Sequence, residues 1–355
     1  MGIFTIINQA MNRRASDVHL VAGSPPLLRI DGSRDPLPDA SPLAPEDIDE
    51  CFNQITTDKE KANFERRMEL DFGYSLPGGR MRCNASKQRG TTALVIRLLP
   101  LTIPTLDELE LPQMCKELIL RPRGLIIVSG PTGSGKSTTL ASMINYLNSF
   151  KSRRLVTIED PIEYMYTNNK CTITQRELGA DTHSFAEALR HVLRQDPDVI
   201  LVGEMRDLET AAAVLTVAET GHLVLTTGHA PSASQAVERV IDLFPPHERH
   251  LAQTRLASLL LGILCQALVP RAYRTGRVAA VEIMLANPAV KNLIREGKIY
   301  QLPNTIRMHN QIGMQLLDQA LIDLYRKRLI STENLFAFCN DRDEVAQVCS
   351  EAKAG

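Results

Sequence analysis

One stretch of this chain has the residue types and spacing of a phosphate cradle. Gly130-Pro131-Thr132-Gly133-Ser134-Gly135-Lys136-Ser137 fits the pattern G-x-x-x-x-G-K-[ST]. In such a loop the glycines let backbone N–H groups turn toward phosphate oxygens. Lys136 supplies a cation for β- and γ-phosphates, Ser137 a hydroxyl for Mg²⁺, and Thr138 lies in the positive first turn of the helix expected to follow. Hydrolysis also needs carboxylates near the γ-phosphate. Two segments carry them at the ends of apolar runs, where open α/β sheets place ligands. Thr157–Tyr164 offers Glu163, a candidate for polarising the attacking water. Val199–Glu204 offers Glu204 as the acid for Mg²⁺, directly or through bound water. The usual motif ends its strand in Asp; here Gly203 stands in that place and the acid comes one residue later.

His222 and His229 flank the apolar run Leu223–Thr226. A neutral imidazole reads the presence of a γ-phosphate through one hydrogen bond. Two histidines with no third ligand nearby make a poor zinc site. Arg82, Arg89 and Arg97 fall in the N-terminal strands. They are either a solvated basic face or residues that reach a nucleotide on a neighbouring subunit, a role worth roughly 10³–10⁵ in rate.

These residues need a scaffold. Leu125–Val128, Leu155–Ile158, Val199–Val202 and Leu223–Thr226 are continuous apolar runs, as in parallel strands buried on both faces. Helical patterns alternate with them, opened by Ser184 and Ser232 as caps and closed at Gly221. Residues 124–285 therefore read as an α/β core with a mainly parallel sheet. Residues 1–99 read as a smaller α+β domain, with strands near 18–21, 27–30, 70–76, 80–87 and 91–98 and turns at Asp31-Gly32, Pro77-Gly78-Gly79 and Arg89-Gly90. Pro45-Glu46-Asp47 suits a helix start. Residues 100–123 carry four-proline punctuation (with Pro100, Pro104, Pro112 and Pro122) and read as a linker holding one short helix; 286–355 read as all-helical.

Bulk composition narrows the function classes. Against 40 Lys and Arg stand 41 Asp and Glu. The chain thus has no global basic field for nucleic acid or an anionic membrane. Aromatic residues are few and Trp is absent, so there is no base-stacking platform. Seven Cys without a CxxC pair argue against a disulfide framework or zinc ribbon. No apolar stretch has the length of a membrane span.

Taken together, the motifs resemble the secretion-type ATPases of the RecA-like superfamily, and within them the type IV pilus retraction ATPases. Ala15–Leu20 and Pro26–Gly32 look like the N-domain signature of that family, Thr157–Tyr164 its Asp box, Asp198–Asp207 its Walker B region and Gly221–His229 its His box. Ala289–Glu296 resembles a C-terminal element associated with retraction, and there is no room after Cys265 for the four-cysteine insert of assembly ATPases. The resemblance implies an N-terminal PAS-like domain, a RecA-like P-loop ATPase domain and a helical C-terminal region. It implies a homohexamer that uses ATP and Mg²⁺, with Glu163 as general base, Glu204 as Walker B acid, and Arg82 and Arg97 as sensing arginines. It implies action on an inner-membrane platform protein, from the cytoplasmic side of that membrane, with no transmembrane segment and no nucleic-acid partner. Gly23, Gly32 and the proline-rich stretch are candidate flexible points. The competing expectations are an accessory retraction paralogue, a RecA-like DNA translocase, and a nucleotide-binding scaffold without turnover.

Overall fold

A computed structural model describes residues 2–354 apart from 14, 31, 32, 77, 78, 100, 101 and 274. The expected turns at Asp31-Gly32 and Pro77-Gly78 lie outside the described residues, as does the flexible point at Gly32. The chain divides into two units, Met1–Thr102 with Pro161–Met165, and Ile103–Asp160 with Tyr166–Gly355.

The first unit is built on β1 (Asp17–Leu20), β2 (Leu27–Ile30), β3 (Ser33–Pro36), β4 (Glu69–Leu76), β5 (Gly79–Gln88) and β6 (Thr91–Leu98). They form one sheet in the order β3-β2-β1-β6-β5-β4, with antiparallel neighbours throughout. Strict alternation sets its faces: Thr92, Leu94 and Ile96 of β6 are buried, and the residues between them are not. The buried face packs with helices Ile3–Asn12, Pro45–Ile55 and Asp58–Arg67 into a core that includes Ile6, Ile48, Phe52, Phe64, Leu94 and Ile96. Pro45 opens its helix as expected. The helix Asp58–Arg67 starts at a reciprocal cap in which Thr57 and Glu60 bond each other's backbone N–H.

The second unit carries β7 (Gly124–Ser129), β8 (Arg154–Glu159), β9 (Thr172–Glu177), β10 (Val199–Val202), β11 (Leu223–Thr227), β12 (Leu260–Pro270) and β13 (Arg277–Leu285). Their order is β13-β12-β7-β11-β10-β8-β9. Every pair is parallel except the β12–β13 hairpin. The four apolar runs of the sequence are the central strands, and β7, β10 and β11 are buried along their whole length. Two residues beyond the runs were decisive for helix placement: Ser184 accepts from the Glu187 N–H, and Ser232 from the Gln235 N–H. Strand β9 is a polar edge, and β12 begins directly where helix Arg249–Leu259 stops, so neither is announced by a turn or a change in hydropathy.

The stretch expected as a linker is packed. Leu106, Leu111, Cys115, Leu118 and Ile119 are buried with Ile126, Val128 and Leu140, and the short helix is Met114–Ile119. Apolar residues at these spacings cover one face of β7, which would otherwise meet water; each such side chain contributes about 1.5–3 kcal/mol. After Leu285 the named elements are helices, among them Pro288–Arg295, Leu317–Arg326 and Thr332–Phe338. All seven cysteines are free thiols. Among the described residues no helix is long and apolar enough to cross a membrane.

Candidate functional site

Strand β7 delivers the glycine-rich loop to the carboxyl edge of the parallel sheet. Gly130 and Gly135 take positive φ, 139° and 88°, and the helix Lys136–Phe150 begins at once. A side chain at Gly130 would place its Cβ 2.4 Å from the Gln266 carbonyl oxygen and 2.7 Å from Ser134 Oγ, so only glycine fits. Lys136 is buried and donates from Nζ to the carbonyls of Gly130 (2.8 Å) and Pro131 (3.0 Å). Pro131, Thr132 and Gly133 form an exposed crest. Ser137 and Thr138 are half-buried in the first helical turn. The Ser134 hydroxyl is buried with no hydrogen-bond partner among the described residues.

The neighbouring strands bring two more groups to the same edge. β11 pairs with β7 as far as Thr227↔Val128, and β10 with β11 as far as Val202↔Thr226. Gly203-Glu204 and Gly228-His229 therefore leave the sheet beside the loop. Glu204 is held on two sides: Arg206 Nε lies 2.6 Å from its carboxylate and His229 Nε2 3.6 Å. Its side chain is only 13% exposed, whereas Arg206 is 68% exposed, so the arginine is the part free to leave. Gly203 is closely placed. A Cβ there would sit 3.3 Å from the Ile158 carbonyl and 3.4 Å from Glu159 Cα, so an Asp would require β8 to give by a few tenths of an ångström. A cavity of about 320 Å³ lies alongside, with Arg206, His229 and Arg239 as its polar wall and Ile127, Met205 and Leu243 among its apolar residues.

His222 does not join this group within one chain. It stands at the opposite end of β11, where its carbonyl accepts from Gly124 N (3.0 Å) and its Nδ1 meets Thr220 Oγ1 (2.9 Å) and the Val217 carbonyl (3.2 Å). Between it and His229 lies the whole of β11, five residues and roughly 16 Å long. Glu163 is half-buried in Pro161–Met165, which belongs to the first unit, while Lys136 and Glu204 belong to the second.

The two candidate arginines meet across strands. Arg82 of β5 pairs with Arg97 of β6, Arg97 with Asp17 of β1, Asp17 with Arg29 of β2, and Arg29 with Arg34 of β3. Directly paired residues share a face, so four arginines and one aspartate form a single rung. Arg97 Nε lies 2.9 Å from Asp17 Oδ1 and Arg29 Nε 3.2 Å from Oδ2. Burial works to raise the pKa of Asp17, but hydrogen bonds from Arg97 and Ser16 and the charges of Arg97 and Arg29 bring it below the ordinary value. Arg29, Arg34 and Asp17 have no sequence signal as a group, because register alone brings them together. Arg89 lies apart, in the β5–β6 turn at φ 50°.

The family model described as "Type II/IV secretion system protein" matches residues 80–292. The type IV pilus retraction ATPase PilT of Pseudomonas aeruginosa is 45% identical over 337 residues, 94% of this chain and 97% of the relative. The chain belongs to the type II/IV secretion system protein family, among its pilus retraction ATPases. Another member, the type IV pilus ATPase PilU of the same organism, is 39% identical over 96% of this chain and 89% of its own. The crystal structure of the pilus retraction motor PilT with bound ADP superposes with a TM-score of 0.91, at 44% identity, covering 98% of this chain and 99% of that one. The mixed α/β architecture described above is thus that of a family of ATPases, which are enzymes.

Proposed function

We propose that this chain is the ATP-hydrolysing motor of type IV pilus retraction. The observation that carries the reading is the convergence at one sheet edge of Lys136 in its loop, Glu204 and His229. The loop binds the phosphates of ATP through the backbone N–H groups that follow Gly130, and through Lys136, which exchanges the Gly130 and Pro131 carbonyls for phosphate oxygens. His229, 3.6 Å from Glu204, connects that carboxylate to the presence or absence of a γ-phosphate. Glu163 orients and deprotonates the attacking water.

Mg²⁺ suits the donors present. Hydroxyl and carboxylate oxygens are the ligands that ion prefers, and few protein ligands are needed because phosphates and water supply the rest. The unpartnered Ser134 hydroxyl and the side-chain-free cradle at Gly130 fit a loop shaped for an anion that such an ion accompanies. Ser137 Oγ would hold it, with Glu204 acting through a bound water. When bound, it would neutralise the negative charge that develops on the phosphate oxygens.

The remaining parts follow the family. Residues 1–99 act as a PAS-like domain, 124–285 as the RecA-like ATPase core with 100–123 as its packed approach, and 286–355 as a helical C-terminal region. Six copies form a ring in which Arg82 and Arg97 reach the nucleotide of a neighbour. Like charges directly opposite on adjacent strands are unfavourable. The Arg82–Arg97 pair therefore carries a like-charge cost that Asp17 relieves from the Arg97 side and that a bound anion would offset further. The ring works in the cytoplasm at the inner membrane, on the pilus platform protein. His222, at the far end of β11, is assigned to fixing the end of helix Leu208–Glu219.

The test is phosphate release by the purified protein. Wild type should hydrolyse ATP, Lys136→Ala should not, and Glu163→Gln should bind nucleotide yet lose most turnover. No phosphate release above the Lys136→Ala level would overturn the enzyme reading; normal turnover by Glu163→Gln would remove Glu163 as the base. Restored pilus retraction in a strain lacking its retraction ATPase distinguishes this motor from an accessory paralogue.

A further inference from the structure

A single polar residue interrupts the apolar strand β12. Gln266 is 4% exposed, and the two ends of its amide are engaged by the phosphate loop and by the helix that follows it. Nε2 donates to the Ser134 carbonyl (2.8 Å), and Oε1 accepts from Thr139 Oγ1 (2.9 Å). Its backbone carbonyl fills the space beside Gly130, where a Cβ would come within 2.4 Å, and Nε2 lies 3.0 Å from the Cβ position of Gly135. One residue thus touches the loop at its first glycine, at its last glycine and in the first turn of the helix behind Lys136.

We infer that Gln266 is a positioning residue that sets the phosphate loop in its binding shape. A trans peptide points its C=O and N–H in opposite directions. By holding the Ser134 carbonyl outward, toward β12, Gln266 turns the Gly135 N–H to the opposite side, into the cradle where phosphate oxygens are bound. By accepting from Thr139 it fixes the azimuth of the helix that carries Lys136 and Ser137. Among the described residues no backbone hydrogen bond outside the helices and strands is made to the Ser134 carbonyl, since β7 ends at Ser129 and the helix begins at Lys136. A buried amide in an apolar strand is unfavourable unless both ends are bonded. Here one end is bonded to the loop and the other to the helix behind it, so the described partners of this buried amide both shape the nucleotide site. Gln266 touches no reacting atom in this arrangement; it acts through Ser134 and Thr139. Cys265 beside it pairs with Glu282 of β13, so the anchor is on the strand that also joins the hairpin edge of the sheet.

The inference rests on the reading of the loop as an ATP site, and the test separates the two. Fluorescent ADP is titrated into wild type, Lys136→Ala, Gln266→Met, Gln266→Glu and Thr139→Val, and each protein is melted without nucleotide. Gln266→Met keeps the size of the side chain and loses both hydrogen bonds; its ADP affinity and KM for ATP should worsen about tenfold or more, against a small change in melting temperature without nucleotide. Gln266→Glu keeps the acceptor for Thr139, loses the donor for Ser134 and adds negative charge, so it should bind ADP more weakly than Gln266→Met. Thr139→Val should lose severalfold, and Thr139→Ser should recover it. If wild type and Lys136→Ala both fail to bind, the ATP-site reading falls and the inference with it. If wild type binds, Lys136→Ala does not, and Gln266→Met binds like wild type, the site stands and the inference falls. Affinity lost only in step with melting temperature across the series also overturns it. Should Gln266→Met not fold, Thr139→Val against Thr139→Ser decides in the same way.

Discussion

The two sheets of this molecule assemble functional groups by opposite routes. In the parallel sheet the phosphate loop is one continuous run, Gly130–Ser137, placed by the end of a single strand. In the antiparallel sheet the arginine rung takes one residue from each of five strands, Arg34, Arg29, Asp17, Arg97 and Arg82, and register alone lines them up. A parallel sheet puts the ends of all its strands on one edge, so loops there gather without further instruction. An antiparallel sheet gathers side chains along a rung, and a slip of one residue would turn every one of them to the other face. The first kind of site is local in sequence; the second is a property of the folded sheet.

The largest expected difference between the two concerns glycine. Gly130→Ala pushes a Cβ to within 2.4 Å of the Gln266 carbonyl at a φ that L-residues rarely adopt. It should reduce nucleotide affinity by about a hundredfold, which corresponds to about 2.7 kcal/mol; titration with fluorescent ADP reads it. Wild-type affinity would mean that the loop tolerates displacement from β12. Gly203→Asp restores the expected acid but presses on Ile158 and Glu159. It should lower hydrolysis rather than improve it, and a gain in rate at limiting Mg²⁺ would contradict the steric account.

The rung makes a subtler prediction, because its two candidate arginines have different local duties. Arg97 neutralises Asp17; Arg82 faces Arg97 with like charge. Arg97→Ala should lower both stability, by about 1 kcal/mol after allowance for its exposure, and ATPase activity. Arg82→Ala should lower activity while leaving stability unchanged or slightly raised. Equal melting temperatures for the two variants would break the distinction.

The smallest effect is in pH. Asp17 in the rung has a lowered pKa, so its contribution to stability is complete above the unfolded value near ~4 and is lost as pH falls through the folded value. Glu282, in β13 of the other sheet, is shifted the opposite way. Burial is the main cause, partly offset by the N–H groups of Ala233 and Leu317 that its carboxylate accepts from, and reinforced by Asp318. Its folded pKa is raised, so its protonated form favours the fold and stability declines as pH rises from about 4 through that folded value. Melting curves from pH 3 to 7 should therefore flatten at the acid end in Asp17→Asn and at the upper end in Glu282→Gln. The reverse assignment would show that the two environments were misread.

The same contrast accounts for what the sequence discloses. The placement of the loop, Glu204 and His229 at one sheet edge was legible because each ends or follows an apolar run of the parallel sheet. Gly203 was visible as a departure, but its reason, the close approach of β8, was not. His222 sits in the same motif as His229 but flanks the other end of the run that forms β11, so a shared motif does not put the two at one edge of the sheet. The prolines of residues 100–123 signal a linker holding one short helix, and that helix is present, but the apolar spacing within 106–119 also buries the stretch. Gln266 had a faint signal, a lone amide in an apolar run; the rung of Arg29, Arg34 and Asp17 had none.

The central claim is that one ATP site is completed by the phosphate loop of one copy and the arginine rung of another. Mixing tests it most directly. Lys136→Ala protein lacks a working loop and Arg82→Ala/Arg97→Ala protein lacks a working rung, and each alone should be nearly inactive. Co-assembled from denaturant or by co-expression, they should regain ATP hydrolysis, because intact loops then face intact rungs. A mixture as inactive as its components, with mixed assemblies verified by light scattering and differential tagging, would contradict the claim.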